Sequence, residues 1–177
     1  NLVNIINDTS SSASQIQGVL KSFVEGNPNI SGNIFLANPY GVVVGTTGVI
    51  NVGSLTAITP TAEYMNSFFI NPGNPSEVAV SQLFSGTVPI NSNATITVNG
   101  TINAIENVKL DTGSFNSAGN IYTGAAFETS KDLQQTIPTL EIGDIVNINN
   151  LETASKISFA SGEVQISAVN DVIISGE

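Results

Sequence analysis

The 177-residue chain contains no cysteine, no histidine, no arginine and no tryptophan. Without cysteine it forms no disulfide, zinc–thiolate site or thiol nucleophile. Without histidine it lacks the commonest general base and metal ligand. Without arginine it lacks the planar fork that clamps carboxylates such as uronates. Positive charge is equally scarce: Lys21, Lys109, Lys131 and Lys156 stand against fourteen Asp and Glu, for a formal net charge of -10. Nucleic acid and anionic lipid are therefore not expected partners, because binding phosphates takes a basic patch. No run approaches the roughly 18 apolar residues of a membrane span. The stretch after Asn1 has neither the basic segment nor the apolar core of a leader, so any signal peptide is expected to be already removed or to lie outside this sequence. Calcium-loop and phosphate-cradling glycine motifs are missing too, and no metal or cofactor is expected.

What is present is β-forming. Hydrophobic residues make up 41% of the chain and charged ones only 10%, yet mean hydropathy is just +0.21. Asn, Ser, Thr and Gly supply the difference, a mixture poor for helices and good for turns and polar strand faces. The length allows one domain, residues 1–177, with a sizeable core. Residues 33–59 read as strand, turn, strand, turn, strand: the runs Ile34–Ala37, Gly41–Val44 and Val49–Val52 are β-branched and too short for helices. In the first turn Asn38 is placed to bond its own backbone two residues on, Pro39 presets a dihedral, and Gly41 closes the turn. Strand alternation puts Val42 with Val44 and Ile50 with Val52, all four expected inside. Phe35 points opposite to Leu36, and Tyr40 belongs at the edge or surface. Asn38→Ala, as the loss of one turn bond, is expected to cost about 0.5–1.5 kcal/mol.

Elsewhere, residues 16–24 fit either period, and Gly18 in mid-run favours strand. Residues 60–90 break the pattern, since Pro60, Pro72, Pro75 and Pro89 exclude a central strand there. They read as a β excursion, a short antiparallel hairpin or loop against the side, with Phe68 and Phe69 covering apolar surface. Beyond it, short strands return over 95–104, 108–110, 120–123, 144–148, 156–159, 163–166 and 171–174, with turn signals between them and loose rungs of about twenty residues. These features predict an all-β fold, a right-handed parallel β-helix. The alternative, an antiparallel sandwich, needs tight hairpins, and Asn99-Gly100 is the one good candidate.

Three blocks carry a family resemblance: Ser14-Gln15-Ile16-Gln17-Gly18-Val19-Leu20, Phe35-Leu36-Ala37-Asn38-Pro39-Tyr40-Gly41-Val42, and the segment from Val52 to Thr59 that contains Gly53 and Thr56. In order and approximate spacing, they resemble the secretion domain of two-partner-secretion exoproteins, the filamentous-haemagglutinin-like family of Gram-negative bacteria. Tyr40 stands where that family has a second Asn. The resemblance covers residues 3–61 and implies opening strands before Asn1, so the chain is expected to be a fragment. It implies a secreted or cell-surface domain, exported through the periplasm and recognised by the periplasmic domains of a partner outer-membrane transporter. Asn38, Pro39, Tyr40, Gly41, Gly53 and Thr56 are then the recognition or motif residues. It further implies a monomer that seeds β-helix folding outside the cell, with downstream repeats meeting a host or neighbouring cell. Export of an unfolded chain through a narrow barrel is consistent with zero cysteine, although a chain this long can also do without disulfides.

Competing readings are a polysaccharide-degrading β-helix enzyme and a structural passenger segment of an autotransporter. Catalysis would need paired carboxylates, for which Asp132, Glu141, Asp144, Glu152 and Glu163 are candidates; solvated turn positions explain them as well. Sequons at Asn7, Asn29, Asn93 and Asn99 are candidate glycosylation sites, in a chain where Asn, Ser and Thr are frequent enough to produce them by chance. Thr95 with Thr97, and Asn147 with Asn149, would each share a strand face, as hydrogen-bonding ladders do.

Overall fold

The computed structural model describes residues 3–7, 11–23, 30–71, 74–126, 158–159 and 162–175. The strand expected at 144–148, the Asn147/Asn149 pair, Asp132, Glu141, Asp144, Glu152 and Asn29 lie outside the described residues.

The chain winds in coils. The first holds β1 (Val3–Asn7), β2 (Ser14–Ile16) and β3 (Val19–Lys21), and the second β4 (Asn33–Ala37), β5 (Val42–Val44) and β6 (Val49–Val52). The third opens with β7 (Ser54–Ile58), leaves the coil through α1 (Ala62–Phe68), β8 (Phe69–Asn71), β9 (Asn74–Pro75) and α2 (Glu77–Ser85), and resumes with β10 (Thr95–Val98) and β11 (Thr101–Ala104). A fourth coil has β12 (Val108–Thr112), β13 (Ser114–Ser117) and β14 (Asn120–Thr123). After β15 (Ala125–Ala126) and β16 (Ser158–Phe159), β17 (Val164–Ala168) and β18 (Val172–Ile174) begin a fifth. Corresponding strands stack into three sheets, in the orders β1-β4-β7-β12-β17, β18-β13-β10-β5-β2 and β14-β11-β6-β3. Every neighbouring pair within them is parallel. The fold is an all-β parallel β-helix. Asn99-Gly100, the hairpin candidate of the sandwich reading, instead joins β10 and β11 of different sheets at a corner of the coil.

Where no insertion intervenes, the step is about twenty residues: Ile34 stacks on Leu55 and Ile96 on Phe115. Inward positions form continuous ladders, Ile34–Leu55–Val108 and Leu36–Ala57–Leu110 in the first sheet, Val42–Ile96–Phe115 in the second, Leu20–Ile50–Ile102–Ile121 in the third. Val42, Val44, Ile50 and Val52 are all buried in this core, as alternation predicts. Residues 14–21 are two short strands parted by Gln17 and Gly18, so the strand reading of that ambiguous run holds.

The excursion lies outside the coil but is mainly helical, which corrects the expected hairpin or loop. Among the described residues, antiparallel pairing within it is confined to β8 with β9 and the bridge of Pro60 with Ile90. The prolines fall outside both helices, and the caps are ordinary: the Thr61 hydroxyl accepts from Tyr64 N at 3.2 Å and the Ser76 hydroxyl from Ala79 N at 3.4 Å. Gly86, in the left-handed region at φ 70°, ends α2. Helical spacing puts Tyr64 and Phe68 on one face, where they meet Ala79. The Tyr64 hydroxyl donates to Ala79 O at 2.7 Å, tying α1 to α2. Phe68 is buried and covers apolar surface as expected: with Tyr64, Met65 and Leu83 it faces the outward side chains Phe35, Ala37 and Ile58 of the first sheet, while the side chain of Phe69 lies outside those described.

Candidate functional site

The segment 38–41 forms a turn at the corner between the first and second sheets, closed by Gly41 N donating to Asn38 O at 3.2 Å. Asn38 Oδ1 accepts from Tyr40 N at 2.8 Å, the local bond expected from sequence. The side chain does more than cap its turn. Asn38 is 0% exposed, and its Nδ2 donates to Ser12 O and Ser14 Oγ of the preceding coil, each at 2.9 Å. Its backbone N–H donates to Ile58 O of the next coil at 3.2 Å. Asn38 therefore fastens three coils at one corner. The small cost expected for losing a single turn bond is too low, because three side-chain bonds depend on this amide.

The same device recurs along the corner. Asn91 Oδ1 accepts from Asn93 N at 3.0 Å, and Asn91 Nδ2 donates to Pro39 O of the turn below at 2.7 Å. Asn170 Nδ2 donates to Ser92 O at 2.6 Å. Reading the sequence alone does not single out Asn91 or Asn170; the available signal is Asn two residues ahead of a turn position, too common in this chain to discriminate.

Of the motif residues, Pro39 and Gly41 are buried and Tyr40 is 48% exposed. Gly41 has φ +117°, and a Cβ on it would lie 2.6 Å from Thr95 O, so only glycine fits. Gly53 is buried at the next corner, where a Cβ would stand 2.6 Å from Gly32 O. Its N–H donates to Gly32 O at 2.9 Å and its carbonyl accepts from Glu106 N at 2.8 Å. Thr56 points outward from β7, in register between Phe35 and Lys109, and is half-buried. Among these six residues the turn thus presents one large exposed side chain, Tyr40.

A second polar device is buried in the third sheet. Asn51 and Asn103 are both 0% exposed, and Asn103 Nδ2 donates to Asn51 Oδ1 at 3.3 Å across neighbouring coils. Sequence pattern missed this ladder, since each Asn sits at a position that alternation assigns to an outer face. Thr95 and Thr97 do share the outer face of β10.

Candidate sites of other kinds are dispersed. Asn93 and Asn99 are exposed at coil corners, and Asn7 lies in β1. Glu163 is exposed ahead of β17; Glu106 is exposed and accepts from Ser54 Oγ at 3.0 Å. Lys109 and Asp111 pair at 3.2 Å on the outer face of β12. Among the described residues, no three His, Cys, Asp or Glu side chains come together as a metal site. The chain matches no protein-family model, no curated protein and no solved structure.

Proposed function

We propose that this chain is the secretion domain of an exported exoprotein: a non-catalytic β-helix recognised by the periplasmic domains of an outer-membrane transporter, which then serves as the template on which further coils fold outside the cell. The observation that carries this reading is the contact between the sequence blocks that resemble the two-partner-secretion family. Ser14, which opens the first block, accepts from Asn38 of the second at 2.9 Å. The second block in turn pairs with the third through Phe35–Thr56 and Leu36–Ala57. Three separated stretches thus build one corner and its flanking strands, a reason for their occurring together.

The far end of the coil supports the templating role. Val172 and Ile174 continue the inward ladders of Phe115 and Ser117, yet they are 50% and 60% exposed. Among the described residues, no strand pairs with the outer edges of β17 and β18. Stacking another coil on them would bury those side chains, and free energy released in that way biases outward passage without a nucleotide.

The test is export. The chain, placed behind a signal peptide, is produced with and without a partner transporter of this class, and its amounts in medium and periplasm are compared. The reading requires accumulation in the medium only with the transporter. Equal periplasmic retention in both cases overturns it.

A further inference from the structure

Residues 61–71 and 74–89 hang on the coil by a narrow stem. Asn91 N donates to Thr59 O and Thr61 N to Pro89 O, both at 2.8 Å, so the excursion leaves and rejoins the coil at one point. The coil strands on either side of it do not depend on it. β7 is paired with β4 and β12, and β10 with β5 and β13. The excursion's own helices have 7 and 9 residues, lengths at which an isolated helix is marginal in water. They rest on the outer face of the first sheet through apolar side chains, and a cavity of about 10 Å³ remains between the two layers. That space is lined by Ala37 and Ile58 from below and by Tyr64 and Phe68 from above, and is barely the size of one water. Lys109 sits at the carboxyl end of α2, close to Gly86, where its charge favours the helix dipole.

We propose that residues 61–71 and 74–89 form a strap that opens as a unit while the β-helix stays folded, alternately covering and exposing the apolar strip Phe35, Ala37 and Ile58. Cooperative units of this size commonly open below the free energy of global unfolding. Here the stem and the self-contained Tyr64–Ala79 contact define the unit's boundary.

The absence of cysteine makes the test clean, since a single introduced thiol is the only one present. Ala37→Cys places a sulfur beside the cavity under the strap, and Ala104→Cys places one in the coil core. Both are reacted with a thiol reagent across a range of urea concentrations below the unfolding transition. Ala37→Cys is expected to react at least ~10-fold faster, with a weaker dependence on urea, because strap opening exposes less surface than global unfolding. Adding Phe68→Leu, which loosens the strap alone, should accelerate labelling at Ala37→Cys and leave Ala104→Cys unchanged. Equal rates with equal urea dependence at the two sites, or the same acceleration of both by Phe68→Leu, would overturn the proposal. If either cysteine variant fails to fold, hydrogen exchange on the unaltered chain decides: faster exchange of 62–85 than of 95–104 supports the strap, and equal exchange of the two segments refutes it.

Discussion

At the scale of single residues, the corner asparagines carry more than their turns. Asn38 is both acceptor, to Tyr40 N, and twofold donor, to Ser12 O and Ser14 Oγ. Asn38→Ala removes all three bonds and is expected to cost roughly 2–4 kcal/mol, read from urea denaturation. Asn38→Asp separates the staple from the turn. Aspartate suits such a turn locally, but it cannot donate, and it would bury a carboxylate against the Ser12 carbonyl. It should therefore destabilise at least as much as alanine does; near-wild-type stability of Asn38→Asp would return Asn38 to simple turn chemistry. Tyr40 is the converse case, exposed and without structural duty in the core. Tyr40→Ala should leave the unfolding free energy within about 0.5 kcal/mol of wild type while lowering export, if a transporter reads this corner. In the interior, Val44 is stacked between Ile16 and Val98. Val44→Asp places an unpartnered charge in the aliphatic ladder, with an expected loss of about 3–5 kcal/mol by denaturation.

At the scale of elements, the strap and the coil obey different rules. Coil strands of three to five residues hold because they pair with the strands of neighbouring coils, on both sides in the middle of each sheet, whereas the strap helices hold through Tyr64, Phe68 and Ala79. Burial raises the pKa of the Tyr64 phenol above its ordinary value of 10.0. A raised folded pKa means that the native strap favours the protonated phenol. The stability it contributes is complete below the unfolded pKa and is lost as pH rises through the folded one. The strap should accordingly loosen above about pH 10, seen as late appearance of one tyrosinate absorbance together with loss of helical circular dichroism. Tyr64→Phe should abolish that late step. Prompt ionisation of every tyrosine with the strap intact would contradict the burial argument.

At the scale of the whole molecule, a β-helix is quasi-one-dimensional, so stability falls towards an open end. The ladders run unbroken through the second, third and fourth coils, whereas the inward residues of β18 are half exposed. Backbone amides of β17 and β18 should exchange with solvent well before those of β10 and β11. Uniform protection along the coil would indicate a single cooperative block instead. The excess of acidic charge, -10 overall, adds a second expectation: self-repulsion makes the folded chain less stable at low ionic strength, and moderate salt should raise its melting temperature.

The sequence by itself determined the coil and its polarity of burial. Runs such as Val42–Val44 and Val49–Val52 are too short and too β-branched for helices, and period-two alternation leaves their inward faces no alternative. The local bond of Asn38 to Tyr40 was likewise legible, because it spans two residues. The strap's helices were signalled by Thr61, Ser76 and Gly86, but two segments this short among four prolines give too few turns for the helical period to stand out. What only the tertiary structure decided are the contacts between coils, namely the reach of Asn38, Asn91 and Asn170 to the turns beneath them and the meeting of Asn51 with Asn103. Those partners lie about twenty or more residues away, at a separation set by loop lengths and inserted segments. No local pattern records that separation; register between stacked coils does.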